Sequence, residues 1–268
     1  MLANIISFTS IHLLLFLATT HAITSNLIPP PKIYGNKIPV KDVNTSYSRI
    51  RRLIVNAHNF YRSIVNPPAS NMLNMYWHHT AARSAQSWAE SCRDLTHSSR
   101  WERWVKNYGF CGQNIFISTA RVSWLYPIKS WNAEKQLFHY GRRDNNINEV
   151  GHYTQMVWYN THVVGCGYHY CGPDRVRIPY HNYVCNYCPI GNYPDKLGTP
   201  YESGQPCSKC PDRCKRKKLC TNACYYGDSW SNCAELNVTS PDWLCTDRKQ
   251  QRYHMCLATC RCTADRIF

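Results

Sequence analysis

The first candidate for chemistry is His152, which lies in the sequence GHYTQMVWYNT at residues 151–161. An imidazole can take up a proton or bind a transition metal near neutral pH. Polar residues alternate here with Tyr153, Met156 and Trp158 without clean helical spacing. The pattern therefore predicts a turn that enters a short, half-buried segment, with His152 at its edge.

A hydrolytic site needs a nucleophile beside an oriented base, or a metal-bound water with a carboxylate that takes its proton. Ser98 and Ser99 directly follow His97, but neither lies in a nucleophile-turn motif, and the sequence contains no GxSxG and no HExxH. We therefore expect no enzymatic activity.

The N-terminal 22 residues carry no Lys, Arg, Asp or Glu, contain the apolar run IHLLLFLA and end in Ala22. That run is too short to cross a bilayer, so residues 1–22 are predicted to be a secretory signal peptide, and no later stretch reaches the length of a span. We expect a secreted, extracellular protein that is not transmembrane. Two Asn-x-Ser/Thr sequences, at Asn44 and Asn237, are predicted glycosylation sites.

All 16 cysteines follow residue 22. An even number in an oxidising compartment predicts eight disulfides, although spacing alone leaves their connectivity open. Zinc is the alternative at the two CxxC pairs, Cys185/Cys188 and Cys207/Cys210.

The net charge is +15, and most of the excess lies in residues 23–190. A basic secreted protein is attracted to acidic glycans, anionic lipid or sialylated cell surfaces, with a strength that falls as salt rises. The alternative is that the charge serves only solubility. We expect no nucleic-acid partner.

The elements that would position these residues are helical early in the chain and extended later. Apolar residues recur at steps of three and four over residues 50–64, which predicts an amphipathic helix. Similar patterns predict helices within residues 78–92 and 124–140, and a strand or short turn at 110–117. Residues 163–184 are rich in Val and Tyr and predict strands. This segregation indicates an α+β fold.

The composition changes after Cys188. Residues 191–206 are rich in Gly, Pro, Asn, Ser and Thr, which predicts a linker. Ten of the 16 cysteines then fall within residues 207–262. So short a segment buries little apolar area and depends on its disulfides for stability.

Three phrases in one order, HYTQMVW, GCGYHYC and YVCNYCPIGNY, resemble the CAP superfamily, and the layout of the chain resembles the cysteine-rich secretory proteins, its animal branch. The phrases PPASNMLNMYW and CTNAC are similar to mammalian members. The resemblance implies a CAP-type α-β-α sandwich over residues 23–190 and a linker with a cysteine-rich hinge over 191–222. It also implies an ion-channel-regulator module of the sea-anemone-toxin type over 223–268.

The resemblance also implies a disulfide pairing that spacing could not supply. The implied pairs are Cys92–Cys171, Cys111–Cys188, Cys166–Cys185, Cys207–Cys214, Cys210–Cys220, Cys224–Cys262, Cys233–Cys256 and Cys245–Cys260.

CAP domains carry a cleft of two histidines and two glutamates that holds zinc in several members. Matched motif to motif, the residues here are His97, His152, Glu134 in WNAEKQLFHYG, and Gln113 where the family has the glutamate of CGEN. Glutamine removes one negative charge and one potential base. The expectation is a weak zinc cleft, with no cofactor required.

Two basic clusters in the C-terminal part are candidate partner-binding surfaces. One is the run Lys215, Arg216, Lys217, Lys218, which would contact an anionic membrane or an acidic channel vestibule, or would be a solvated loop. The other contains Arg248, Lys249, Arg252 and Tyr253.

The resemblance implies a secreted, non-enzymatic binding protein that acts at a cell surface, with the sperm surface and male reproductive tract favoured, and that regulates an ion channel or receptor. The alternatives are a zinc-dependent hydrolase using the cleft, a lipid or sterol binder, and a venom or salivary channel modulator.

Overall fold

The structure is a computed structural model, and it describes residues 38–268. The predicted signal peptide lies outside the described residues. The first part of the chain forms α1 Ser48–Ser63, β1 Tyr76–Trp77, α2 His79–Glu90, β2 Gly112–Ser118, α3 Leu125–Ala133, α4 Ile147–Met156, β3 Val163–Cys171 and β4 Tyr180–Cys188. The later part forms β5 Cys214–Lys215, β6 Leu219–Cys220, α5 Cys233–Thr239, α6 Pro241–Cys245, α7 Gln251–Met255 and α8 Leu257–Arg261.

Four of the strands form one sheet in the order β1-β3-β4-β2. β1 runs parallel to β3, whereas β3 and β2 both run antiparallel to β4. β4 is therefore central, and all nine of its residues are buried.

Helices cover both faces of this sheet, which is the expected α-β-α sandwich. On one face, Ala85 and Trp88 of α2 pack on Ile115 and Val184. On the other face, α1, α3 and α4 pack around Tyr183, the neighbour of Val184. Adjacent strand residues point to opposite faces, so β4 contributes to both cores.

Small residues bring α2 close to the sheet. A Cβ on Gly165 would lie 2.1 Å from the backbone nitrogen of Ala82, and one on Gly167 would lie 2.3 Å from Cα of Gln86. These distances are below van der Waals contact, so β3 needs glycine at both positions.

The prediction for residues 151–161 was wrong, because His152 lies within helix α4. Asn146 caps this helix by accepting a hydrogen bond from the backbone nitrogen of Asn148. Thr154 and Gln155 are buried along with the apolar residues. Buried polar side chains broke the apolar period on which the prediction depended.

Two other predicted boundaries also differ. The helix predicted within residues 124–140 ends at Ala133 and continues only as a 3-10 turn, Glu134–Gln136. The predicted linker packs on the sandwich, since Tyr201 is buried in the main core and the carbonyl of Pro200 accepts a hydrogen bond from the backbone nitrogen of Tyr159 (2.8 Å). Composition indicated a loop correctly but missed its packing.

The 16 cysteines form eight disulfides in the structure, in the pairs that the resemblance implies. The zinc alternative at the two CxxC pairs is wrong, because Cys185, Cys188, Cys207 and Cys210 are all oxidised. A thiolate ligand cannot come from a disulfide sulfur.

The hinge is joined to the sandwich through its backbone. Cys220 donates a hydrogen bond to the carbonyl of Met72 (2.8 Å) and accepts one from the backbone nitrogen of Asn74 (2.8 Å). The C-terminal residue Phe268 accepts a hydrogen bond from the Tyr159 hydroxyl (3.0 Å). Within residues 38–268, no helix has both the length and the apolar content needed to cross a membrane.

Candidate functional site

The predicted cleft residues form two hydrogen-bonded pairs. In the first pair, Oε1 of Gln113 on β2 accepts hydrogen bonds from Nδ1 of His97 (3.0 Å) and from the backbone nitrogen of Ser98 (3.1 Å). The Gln113 amide nitrogen donates to Oγ of Ser98 (3.2 Å) and to Oδ1 of Asn186 (3.0 Å). Because an amide oxygen only accepts, Nδ1 of His97 carries the proton and its Nε2 holds the free lone pair.

In the second pair, a carboxylate orients the other histidine. Oε1 of Glu134 lies 2.5 Å from Nδ1 of His152, and its Oε2 accepts hydrogen bonds from the backbone nitrogens of His152 (2.9 Å) and Tyr153 (3.0 Å). The indole of Trp131 lies nearly parallel to the His152 ring, at 6.2 Å between centroids. Nε2 of His152 is therefore also left free.

The two pairs are linked through β2. Asn114, which follows Gln113, donates a hydrogen bond to the carbonyl of His152 (3.1 Å). The pKa of His97 is lowered from its ordinary value, chiefly by burial and also by the nearby positive charge of Arg103, while the Gln113 hydrogen bond acts in the opposite direction.

Arg103 is a member of this site that the sequence did not reveal. Its guanidinium donates to the carbonyls of Ser98 (2.5 Å) and Cys111 (3.0 Å) and reaches Oε1 of Gln113 at 3.4 Å. It lies in an aperiodic segment without a motif, so the sequence held no signal for it.

The ligand atoms of His97, His152 and Glu134 are not gathered closely enough to form a compact metal-binding group. Across residues 38–268, the only group of three or more His, Cys, Asp or Glu with ligand atoms within 4.8 Å of one another is Cys207, Cys210 and Cys220, whose sulfurs are in disulfides. His97 and His152 each have the arrangement typical of a zinc-binding histidine, in which Nδ1 is hydrogen-bonded to an oxygen and Nε2 is available to the metal. Two imidazoles are fewer than the three or four protein ligands of established zinc sites.

Neither Gln113 nor Glu134 offers a free carboxylate base. Gln113 cannot take up a proton, and the Glu134 carboxylate already accepts three hydrogen bonds. Oγ of Ser98 contacts Gln113 and Arg103 rather than an imidazole. The described contacts therefore hold two imidazoles in place, and they pair neither imidazole with the hydroxyl of Ser98.

One of the four residues of the second basic cluster does not lie at the surface. Tyr253 is 5% exposed and lies in the core because the short helix α7 turns it inward together with Met255. The aromatic partner of Arg252 is instead Trp243, which is 51% exposed and has the guanidinium 4.9 Å from its ring centroid. Arg248 and Lys249 are exposed, and their role in binding a partner stays a prediction.

Comparison with known proteins identifies the class. A family model described as "Cysteine-rich secretory protein family" matches residues 55–187, and one described as "Crisp" matches residues 207–267. The chain is 43% identical over 220 residues to human cysteine-rich secretory protein 3, covering 82% of this chain and 85% of that one. It is 44% identical over 225 residues to cysteine-rich secretory protein 2 of Cavia porcellus, covering 84% and 87%.

The protein therefore belongs to the cysteine-rich secretory protein family. It is also similar to the venom protein helothermine of Heloderma horridum horridum, at 40% identity over 216 residues, covering 79% of this chain and 84% of that one. Among solved structures, it is similar to the crystal structure of NaASP2 with Zn²⁺, at 29% identity and a TM-score of 0.52. That match covers 65% of this chain and 96% of NaASP2.

Proposed function

We propose that this protein is a secreted, non-enzymatic binding protein that acts at a cell surface and regulates an ion channel through its C-terminal module. The sperm surface is the proposed location, because the chain is similar to mammalian cysteine-rich secretory proteins 2 and 3. The observation that carries the channel proposal is the exposed face around Trp243.

That face has the composition of a protein-binding surface. An open groove here is lined by Trp230, Leu236 and Trp243. The guanidinium of Arg252 lies over the ring of Trp243. Tryptophan and arginine are the residues most enriched at binding hot spots. Exposed Arg248 and Lys249 add positive charge that would attract an acidic channel mouth.

The cleft supports binding over catalysis. Glu134 orients His152 instead of standing free as a base, and Gln113 orients His97. Zinc bound only by the two Nε2 atoms would have a low affinity, because Glu134 and Gln113 do not complete the coordination shell. Chelator-sensitive hydrolysis of a peptide or ester by the purified protein would contradict the non-enzymatic assignment.

The test compares the mature protein with the variant Trp243→Ala/Arg252→Ala on live sperm, measuring fluorescent binding and whole-cell currents. We expect the wild type to bind and change the currents, and the variant to lose at least tenfold in affinity. Leu125→Ala, which removes an exposed apolar side chain from α3, is the matched control. Equal activity of all three proteins would refute the role of this face.

Two alternatives have a supporting observation. Similarity to helothermine supports a venom or salivary modulator, which the tissue of expression would decide. An apolar groove lined by Leu95, Ile117, Val176 and Ile178 supports lipid or sterol binding. Ile178→Asp should then abolish binding of radiolabelled sterol, and no binding by the wild type would remove the idea.

A further inference from the structure

The basic run of the hinge lies on a strained hairpin turn. Strands β5 and β6 pair antiparallel, and the backbone nitrogen of Lys218 donates to the carbonyl of Lys215 (3.1 Å). The two central residues, Arg216 and Lys217, have φ of 52° and 55°. Turns with positive φ at both central residues are dominated by Gly, Asn and Asp, because a larger side chain disfavours the left-handed region.

The positive charges on this turn have no internal partner. All four side chains are exposed, and within residues 38–268 no carboxylate lies within 4.0 Å of any of their nitrogens. Lys215 instead lies over the ring of Tyr76, 5.9 Å from its centroid. Disulfides at both ends, Cys207–Cys214 and Cys210–Cys220, hold the turn in place.

Exposed apolar side chains from α1 lie beside these charges. Phe60 is 57% exposed and lines a groove together with Lys215, Arg216 and Lys218. Ile64, four residues further along, is 51% exposed and lines the adjacent groove, to which Lys218 also contributes. Large apolar side chains next to unpaired cations are the composition of a surface that binds an anionic bilayer.

We propose that this surface, formed by Phe60, Ile64 and the hairpin Lys215–Leu219, docks the protein on membranes that contain anionic phospholipid. The cations would contact headgroup phosphates and carboxylates, and the two apolar side chains would enter the interfacial region. An anionic polymer without apolar groups would bind the cations but would gain nothing from contact with Phe60, whereas a membrane would contact both. The proposal deepens the proposed cell-surface function, but it is tested without any channel, so each can fail separately.

The test is cosedimentation of the full mature protein with phosphatidylcholine vesicles containing roughly 30% phosphatidylserine. Arg216→Asn/Lys217→Gly removes two charges and supplies the preferred turn residues. We therefore expect an unchanged or higher Tm and about 25-fold weaker partitioning, since each cation contributes about fivefold. The matched control is Arg83→Gln/Lys106→Gln, which removes two positive charges from exposed positions that belong to neither proposed binding surface.

A second comparison isolates the apolar contribution. Phe60→Ser should weaken partitioning by about tenfold, whereas Leu125→Ser, which removes another exposed apolar side chain, should not change it. Absence of wild-type binding to the anionic vesicles would overturn the proposal, as would equal losses in the two charge variants. Retention on heparin that depends on Arg216 and Lys217, combined with vesicle binding unaffected by Phe60→Ser, would also overturn it in favour of a sulfated polymer.

Discussion

Replacing Gln113 by glutamate should convert the cleft into a tighter zinc site. The new carboxylate oxygen would lie about where Oε1 now lies, 3.0 Å from Nδ1 of His97. A hydrogen bond from Nδ1 to this charged oxygen would be worth about 1.5–3 kcal/mol, against about 1 kcal/mol for the present bond to a neutral amide. The position is buried, with Gln113 only 8% exposed, so water would screen the new charge little. A carboxylate behind a metal-binding histidine makes it a better ligand, so we expect Zn²⁺ affinity to rise by about tenfold or more.

The same substitution should destabilise the zinc-free protein. The Gln113 amide nitrogen now donates to Oγ of Ser98 and to Oδ1 of Asn186. The serine hydroxyl can rotate to donate to a carboxylate, but Oδ1 of Asn186 would lose its donor and face a negative charge. We expect the free energy of unfolding to fall by about 1–2 kcal/mol without zinc, and saturating zinc to restore it.

Isothermal titration calorimetry with Zn²⁺ would measure the affinities, and urea unfolding would measure the stabilities. Glu134→Gln is the mirror-image change and should weaken binding by about tenfold, because His152 loses its carboxylate partner. Gln136→Glu adds the same charge at an exposed position and should leave the affinity unchanged. An affinity that rises equally in the Gln136 and Gln113 variants would refute the reasoning, because net charge alone would then explain it.

Three further predictions concern stability. Arg62 is buried and donates to four backbone carbonyls, so Arg62→Met should cost at least about 4 kcal/mol in urea unfolding, against about 0.5 kcal/mol for the exposed Arg52→Met. Burial lowers the pKa of His58 and of His162 from 6.5 to about 4. As the pH falls, the unfolded chain therefore takes up these protons before the folded protein does. The free energy of unfolding should fall between pH 6.5 and pH 4 by up to about 3 kcal/mol per histidine. Identical urea midpoints at the two pH values would contradict this. Gly167→Ala should lower stability by about 3 kcal/mol, and an unchanged Tm would show that α2 can move away.

The sequence predicted those features that depend on local pattern or on covalent framework. The amphipathic helix near residues 50–64 and the strands near 163–184 follow from periodicity that the structure preserves. The class of fold followed from motifs in one order. Each of these signals lies within a short stretch of the sequence, so predicting the elements did not require knowledge of tertiary contacts.

The sequence predicted which residues belong to the site but not the hydrogen bonds between them. Motif matching selected His97, Gln113, Glu134 and His152, and all four do line up as two hydrogen-bonded pairs. It did not show that Glu134 faces Nδ1 of His152 and two backbone nitrogens, which leaves the carboxylate as an orienting group. The role of Glu134 depends on where α4 begins relative to the end of α3. The sequence pattern did not predict α4, because buried polar residues interrupt its apolar periodicity.

The hairpin at Arg216 and Lys217 shows why a charged segment needs its structural context before it can be interpreted. As sequence, four consecutive cations are compatible with a solvated loop. In the structure, two disulfides and the backbone pairing of Cys220 with Met72 and Asn74 hold the turn against its own conformational preference. An Asn-Gly turn would fit this backbone with less strain, so stability alone does not account for arginine and lysine at these positions. The side chains themselves are then the feature to explain, and the contact with an anionic membrane that we propose would account for them.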